Sequence, residues 1–441
     1  MSKARTATPS APSIPGYRLR TVAGDFAEYE LKANGLRVIH RELPGTGVIS
    51  TNLTYRVGSR HEARGTTGLA HMLEHMLFKP TAADIAANRR AGPDRFEAET
   101  GCLLNANTSR DRTTYYFSFP CPHLDRALAI EADRMQGVVI TPENFAPERN
   151  NVLSEFDMYF SDPQFVLAMQ MCGVTFHSHP YGHEVIGFRN DIERYTVEDL
   201  TTFYRTYYRP DTATLMVIGD TPRRAALTAV AQHFGACENP TLPALDTTIT
   251  EAPPEGERTV TIERPSDRNI LALGVRHAGF PSDAWHRAWL GLSAFADGAD
   301  SILERALVDT GHAISVDLLI EPARDECLAI IFITLSPGVS HTDALAVVDA
   351  ERQKLTSRAL TSLVRKRAAG LRTEAAFTRA SSLRTVAELT EYVAADALPA
   401  FLETDTIIDR CTPAAVTRDL TAMLAPQRRT LGYFIGTTTT S

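Results

Sequence analysis

Alternation of apolar and polar side chains is clearest over 48–57. There Ile49, Thr51, Leu53, Tyr55 and Val57 fall on one side of an extended chain, the period-two signature of a strand. A second strand is predicted over 36–43 and a buried one over 213–218. The stretches 102–108 and 113–119 read as the arms of a hairpin turning at Ser109-Arg110-Asp111-Arg112. Between them the period lengthens to that of helices. These are expected at 68–78, at 123–136, at 147–160 with Pro147 in the first turn, and at 197–207 behind the capping pattern Thr196-Val197-Glu198-Asp199. Consecutive strands joined by short turns, with helices interspersed, predict the α+β class.

Pro240, Pro243, Pro253 and Pro254, with few bulky apolar residues among them, mark 237–257 as a linker. Beyond it the pattern restarts, with strands near 259–263 and 270–275 and a helix near 284–295. The two halves also end alike. Asp199-Leu200-Thr201, a helix, Pro210, an apolar strand and Gly219 correspond to Asp419-Leu420-Thr421, Pro426 and Gly436, the trace expected of an internal duplication. The predicted organisation is a flexible tail at 1–26 and two homologous domains at 27–236 and 258–441. Each is expected to be a mostly antiparallel sheet with helices packed on one face.

Composition removes several classes of function. The 441-residue chain carries a formal charge of −8 and no Lys/Arg-rich stretch, which argues against a nucleic-acid partner. Arg365-Lys366-Arg367 is short enough to be a solvated helix face. The longest apolar run, 327–335, is strand-sized, far from the roughly 18 residues of a membrane span. Six scattered cysteines without C-x-x-C spacing point to free thiols rather than a disulfide scaffold or a cysteine metal site. The first residues lack an apolar signal region. The expectation is a soluble chain, cytoplasmic as it stands and periplasmic or organellar where a leader has been removed.

Chemistry is concentrated in Gly68-Leu69-Ala70-His71-Met72-Leu73-Glu74-His75-Met76-Leu77-Phe78. On a helix His71, Glu74 and His75 share one narrow sector, while Leu69, Met72, Leu73, Met76 and Leu77 cover the rest. Burying two imidazoles and a carboxylate without a shared partner costs several kcal/mol. A divalent metal is such a partner: histidines at i and i+4 converge on one ion, and the glutamate stands where it poises a water. A third ligand is required. Glu148 and Glu155 lie seven residues apart on the next predicted helix, hence on one face. One could ligate and the other could orient a histidine ligand, and spacing does not say which. His177, His179 and His183 form another cluster, which proline and glycine place in a loop.

Residues 56–220 resemble the catalytic domain of the pitrilysin family of zinc peptidases, the inverzincins, which includes insulin-degrading enzyme and the mitochondrial processing peptidase. The resemblance is carried by Val57-Gly58-Ser59-Arg60 with Glu62, by the helix just quoted with Lys79, and by Asn105-Ala106-Asn107-Thr108-Ser109-Arg110-Asp111-Arg112-Thr113-Thr114-Tyr115-Tyr116. Glu148-Arg149, Glu155, His179-Pro180-Tyr181 and Val217-Ile218-Gly219-Asp220 complete it. It implies a processing-peptidase-like fold with ferredoxin-like duplication. His71, His75 and Glu155 become ligands of a Zn2+ cofactor, Glu74 the general base, and Glu148 the carboxylate behind a ligand. Leu104, Asn105, Ala106 and Asn107 become an edge strand binding substrate by strand addition. Two departures leave these positions untouched. His75 and Glu155 are 80 positions apart, a few more than usual, with the excess expected in 82–99, and Pro80 stands where the family commonly has glycine.

The resemblance also implies an Arg and a Tyr in the non-catalytic half that assist the oxyanion. In the corresponding stretch, 307–316, those places hold Val308 and Ile314. Full single-chain relatives carry four homologous domains, and this chain has room for two. The expectation is therefore the catalytic subunit of a heterodimer that hydrolyses unfolded peptides, with a homologous partner supplying the Arg/Tyr pair. A homodimer with other oxyanion donors is the rival. A non-catalytic structural subunit is the alternative from a different class.

Overall fold

The computed structural model describes residues 13–241 and 249–437. Residues 1–12 of the predicted tail and 242–248 of the predicted linker lie outside the described residues. The rest of that tail is not a tail: Tyr17–Ala23 is a strand paired antiparallel with Phe26–Leu31. Its Tyr17 hydroxyl donates to the Leu227 carbonyl at 2.8 Å.

The first sheet contains β1 (Tyr17–Ala23), β2 (Phe26–Leu31), β3 (Arg37–Glu42), β4 (Val48–Tyr55), β5 (Leu103–Thr108), β6 (Thr113–Pro120) and β7 (Ala213–Gly219), in the order β1-β2-β3-β7-β4-β6-β5. The second contains β8 (Arg258–Pro265), β9 (Ile270–His277), β10 (Ala313–Leu319), β11 (Cys327–Leu335) and β12 (Arg429–Thr437), in the order β10-β11-β9-β12-β8. The helices include α1 (Leu69–Met76), α2 (Leu124–Gly137), α3 (Pro142–Phe160), α4 (Pro163–Thr175), α5 (Val197–Tyr207), α6 (Ser382–Ala394) and α7 (Pro413–Met423).

The duplication read from the two chain endings extends to the topology. Matching β3 through β7 with β8 through β12 turns the run β3-β7-β4-β6-β5 into β8-β12-β9-β11-β10, the entire second sheet. Each sheet holds one parallel pair, β3 with β7 and β8 with β12, and is otherwise antiparallel. The repeated ending is α5, a turn at Pro210–Thr212 and β7, then α7, a turn at Pro426–Arg428 and β12.

The chain forms two compact units that exchange segments between the sequence halves. Unit 1 comprises Met1–Leu153, Val185–Thr247 and Ala376–Leu402, and unit 2 comprises Ser154–Glu184, Thr248–Ala375 and Glu403–Ser441. Helices cover a sheet face as expected, and in each unit the exchanged helix covers the other face as well. In unit 1, α6 lies on the side of β4 that carries Ser50, Asn52 and Thr54. Ser50 Oγ meets Ser382 Oγ at 2.9 Å, and Asn52 Nδ2 donates to the Val386 carbonyl at 3.2 Å. Buried polar groups must be paired, and here they also pair among themselves, as in Thr54 Oγ1 to Asn52 Oδ1 at 2.8 Å. In unit 2, Leu167 and Met171 of α4 join one core cluster with Ile270, Ala272, Ile330 and Phe332. Leu271, Leu273, Ile331 and Ile333 point into another.

Candidate metal centre

The hairpin β5–β6 and the loop before α1 are locked together before any functional group is considered. Arg60 and Asp111 form a buried ion pair at 2.8 Å. Main-chain N–H groups of Ser59 and Arg60 donate to the carbonyls of Ser109 and Arg110 at 3.2 and 2.9 Å. Gly58 permits this approach, because a Cβ there would sit 2.2 Å from the Ser109 carbonyl oxygen.

The start of α1 is equally constrained. Gly68 has φ +90° and lies against residue 186, so that a Cβ would meet the Ile186 oxygen at 2.5 Å. Both the backbone conformation and the space therefore require glycine. The Glu62 carboxylate accepts from the N–H groups of Gly68 and Ala70, each at 2.8 Å, placing a negative charge where a helix N-terminus favours it. Leu69, Ala70, Met72, Leu73 and Met76 are buried, and the polar trio occupies the remaining sector.

Across from α1 runs α3. It starts at Pro142, five residues before the predicted start, so Pro147 stands inside the helix rather than in its first turn. The true cap is Thr141, whose N–H donates to Asn144 Oδ1 at 2.8 Å. The division between the units falls within this helix, between Leu153 and Ser154, so Glu155 rides on a helix that begins in unit 1.

His71, His75 and Glu155 bring one ligand atom each within 4.8 Å of one another. Among the described residues this is the only such group of three. His75 Nδ1 faces Glu148 Oε2 at 3.4 Å. Between Glu148 and Glu155, left open by spacing alone, the geometry puts Glu155 with the imidazoles and Glu148 behind one of them. Burial, with the neighbouring His75 charge second, pushes His71 down to about 3, so it is the neutral imidazole a metal requires. Burial by itself would raise the Glu148 carboxyl. The hydrogen bond and charge of Lys79, with Asn151 and His75 adding to them, instead hold it below the usual carboxylate range. Two nitrogens and one carboxylate oxygen are the donor set of a three-ligand catalytic zinc site, and the residues present fit that ion.

Glu74 shares the helix face with the histidines, and its Oε2 accepts from Thr108 Oγ1 at 2.5 Å. Thr108 ends β5, which pairs with β6 and has no second partner among the described strands. Leu104, Asn105, Ala106 and Asn107 therefore lie on a true sheet edge. Ser109 N–H donates to Arg112 O at 2.8 Å. By antiparallel alternation the main-chain groups of Leu104, Ala106 and Thr108 then face the open side. The Ala106 N–H fits this, for it bonds to Asn105 Oδ1 at 2.8 Å instead of to β6. Neither Thr108 nor Lys79 was singled out from the sequence for these contacts, and only their adjacency to the motifs could have drawn attention to them.

Of the other candidates, His179 and the basic pair at 366–367 meet acidic partners. His179 is buried, with Nε2 at 3.3 Å from Asp325 Oδ2, and its N–H and that of Ser178 bond to Glu251. Lys366 and Arg367 pair with Asp300. All six cysteines are free, and all but Cys121 are buried. No described helix is long and apolar enough to cross a membrane.

Residues 37–188 match the family described as Insulinase (Peptidase family M16), and residues 194–363 match the one described as Peptidase M16 inactive domain. The chain belongs to peptidase family M16. Every residue of the candidate site described above falls in the first match. Zinc protease PqqE of Helicobacter pylori is 32% identical over 286 residues. That alignment takes in 63% of this chain and 62% of PqqE, less than two thirds of the relative's length. Among solved structures, a protease from H. pylori superposes with a TM-score of 0.85 at 24% identity, over 96% of this chain and all of that one. The periplasmic protease PqqL from Escherichia coli gives a TM-score of 0.75 at 16% identity. There this M16 chain is covered to 95% but accounts for only 48% of PqqL.

Proposed function

We propose that this chain is a zinc-dependent endopeptidase acting on unfolded peptides or small polypeptides in a closed chamber, as the catalytic subunit of a heterodimer. The observation that carries the reading is the convergence of His71, His75 and Glu155 with Glu74 on the same helix face. Family membership and relatives named as zinc proteases support it. When bound, zinc supplies Lewis acidity that polarises a carbonyl and makes water nucleophilic near neutral pH. Glu74 takes the proton of the attacking water and delivers it to the leaving amine. Glu148, held by Lys79, accepts the His75 Nδ1–H and fixes that ring. The edge segment Leu104, Asn105, Ala106 and Asn107 holds an extended peptide by strand addition, through the main-chain groups that Leu104 and Ala106 turn to the open side, which gives affinity with little side-chain selectivity.

The heterodimer part rests on what the second half lacks. Val308 and Ile314 occupy the places of the expected Arg/Tyr pair, and Ile314 is 61% exposed on the edge strand β10. The test is cleavage of an unfolded peptide by the purified chain, alone and with a homologous chain that carries an Arg/Tyr pair and no H-x-x-E-H. Activity that appears or rises strongly with the second chain is expected. Full activity without it contradicts the heterodimer and leaves the zinc endopeptidase standing.

A further inference from the structure

We propose that Thr108 is a positioning residue that couples the substrate-binding edge to the general base. This rests on the proteolytic reading above. Thr108 is the last residue of β5, and it is only 8% exposed. Its main-chain groups face the open edge, where a bound peptide strand would end its pairing. Its side chain projects from the sheet face and donates to Glu74 Oε2 at 2.5 Å. The next polar neighbour, Thr113 Oγ1, is 3.5 Å away and itself donates to the Val57 carbonyl at 2.9 Å. Glu74 is therefore the acceptor that fixes the Thr108 hydroxyl.

The terminal torsion of a glutamate is broad and holds no preferred plane. A charge-assisted hydrogen bond from a buried hydroxyl to Oε2 constrains that plane. One residue thus sets both where the peptide backbone lies and how the base is aimed. The adjacent residue is anchored independently: Arg112 Nη1 donates to Asn107 Oδ1 at 2.9 Å, while its Nε donates to Glu391 Oε1 on α6 at 2.9 Å. A segment from the second half of the sequence thereby braces the end of the edge strand, within unit 1.

The experiment compares Thr108→Val, which keeps the branched shape and loses the hydroxyl, with Thr108→Ser, which keeps the hydroxyl. Zinc-loaded full-length chain is used throughout, with its partner chain if one is needed for activity. Losing a hydrogen bond to a charged group predicts a kcat about tenfold to a hundredfold lower in Thr108→Val, with KM and zinc content unchanged and most of kcat restored in Thr108→Ser. A crystal structure of Thr108→Val is expected to show the Glu74 carboxylate rotated or in more than one orientation. An unchanged kcat, an equal loss in Thr108→Ser, a loss of zinc, or a Glu74 carboxylate fixed as before overturns the assignment. Zinc-replete wild type that cleaves no peptide contradicts the proteolytic reading instead, and the carboxylate orientation then still decides the role of Thr108.

Discussion

At the scale of single residues, the candidate ligands on α1 stand out in the sequence because metal chemistry restricts donor types and a helix restricts their spacing. His71 and His75 one turn apart, with Glu74 between, needed no tertiary information. Spacing alone does not choose between Glu148 and Glu155, two carboxylates seven residues apart on one face of α3; the family resemblance implies Glu155, and the structure brings that residue to the imidazoles. Lys79 shows what spacing leaves out. Its ammonium bonds the Glu148 carboxylate across 69 positions, and no local pattern announces that contact. Glu148→Gln keeps the shape and removes the charge opposite His75. It is expected to weaken zinc binding by about tenfold to a hundredfold, measured by competition with a chelator, while the saturated variant still cleaves. An unchanged zinc affinity would detach Glu148 from the site.

Among the elements, strands with strong alternation were read to within a few residues. The hairpin β5–β6 and the capping box of Thr196 and Asp199 ahead of α5 also match their predictions. The start of α3 was misread because a proline in a first turn and a proline inside a helix look alike in sequence. The difference lies in the cap at Thr141. The polar side of β4 was a harder case: period two tells which residues share a face, not which distant segment covers it. Here α6 arrives more than 300 residues later and buries it. For α1 the decisive feature is its first residue. Gly68→Ala adds a Cβ 2.5 Å from the Ile186 oxygen at φ +90°. Strain of this kind is expected to cost about 1–3 kcal/mol, read as a lower denaturation midpoint together with reduced zinc occupancy. A midpoint equal to that of wild type would show that the crossing of residues 68 and 186 yields easily.

For the whole molecule, the duplication seen in two short endings proved to be the plan of both sheets, because the repeated unit is a strand order and not a set of side chains. The exchange of Ser154–Glu184 and Ala376–Leu402 between units was not legible, since the local pattern of a segment does not say which distant sheet it covers. Its consequence is that unit 1 is incomplete without Ala376–Leu402 from the second half of the sequence. The proposed activity concentrates in that unit, where a base, a histidine pair and an open sheet edge meet beside α3. The most direct test measures zinc content and cleavage of an unfolded peptide side by side in wild type and Glu74→Gln, with His71→Ala as the control for ligand loss. The account predicts equal zinc in the first two, reduced zinc in the third, and cleavage by wild type alone. Cleavage by Glu74→Gln at the wild-type rate, or a wild type that neither binds zinc nor cleaves, would contradict it.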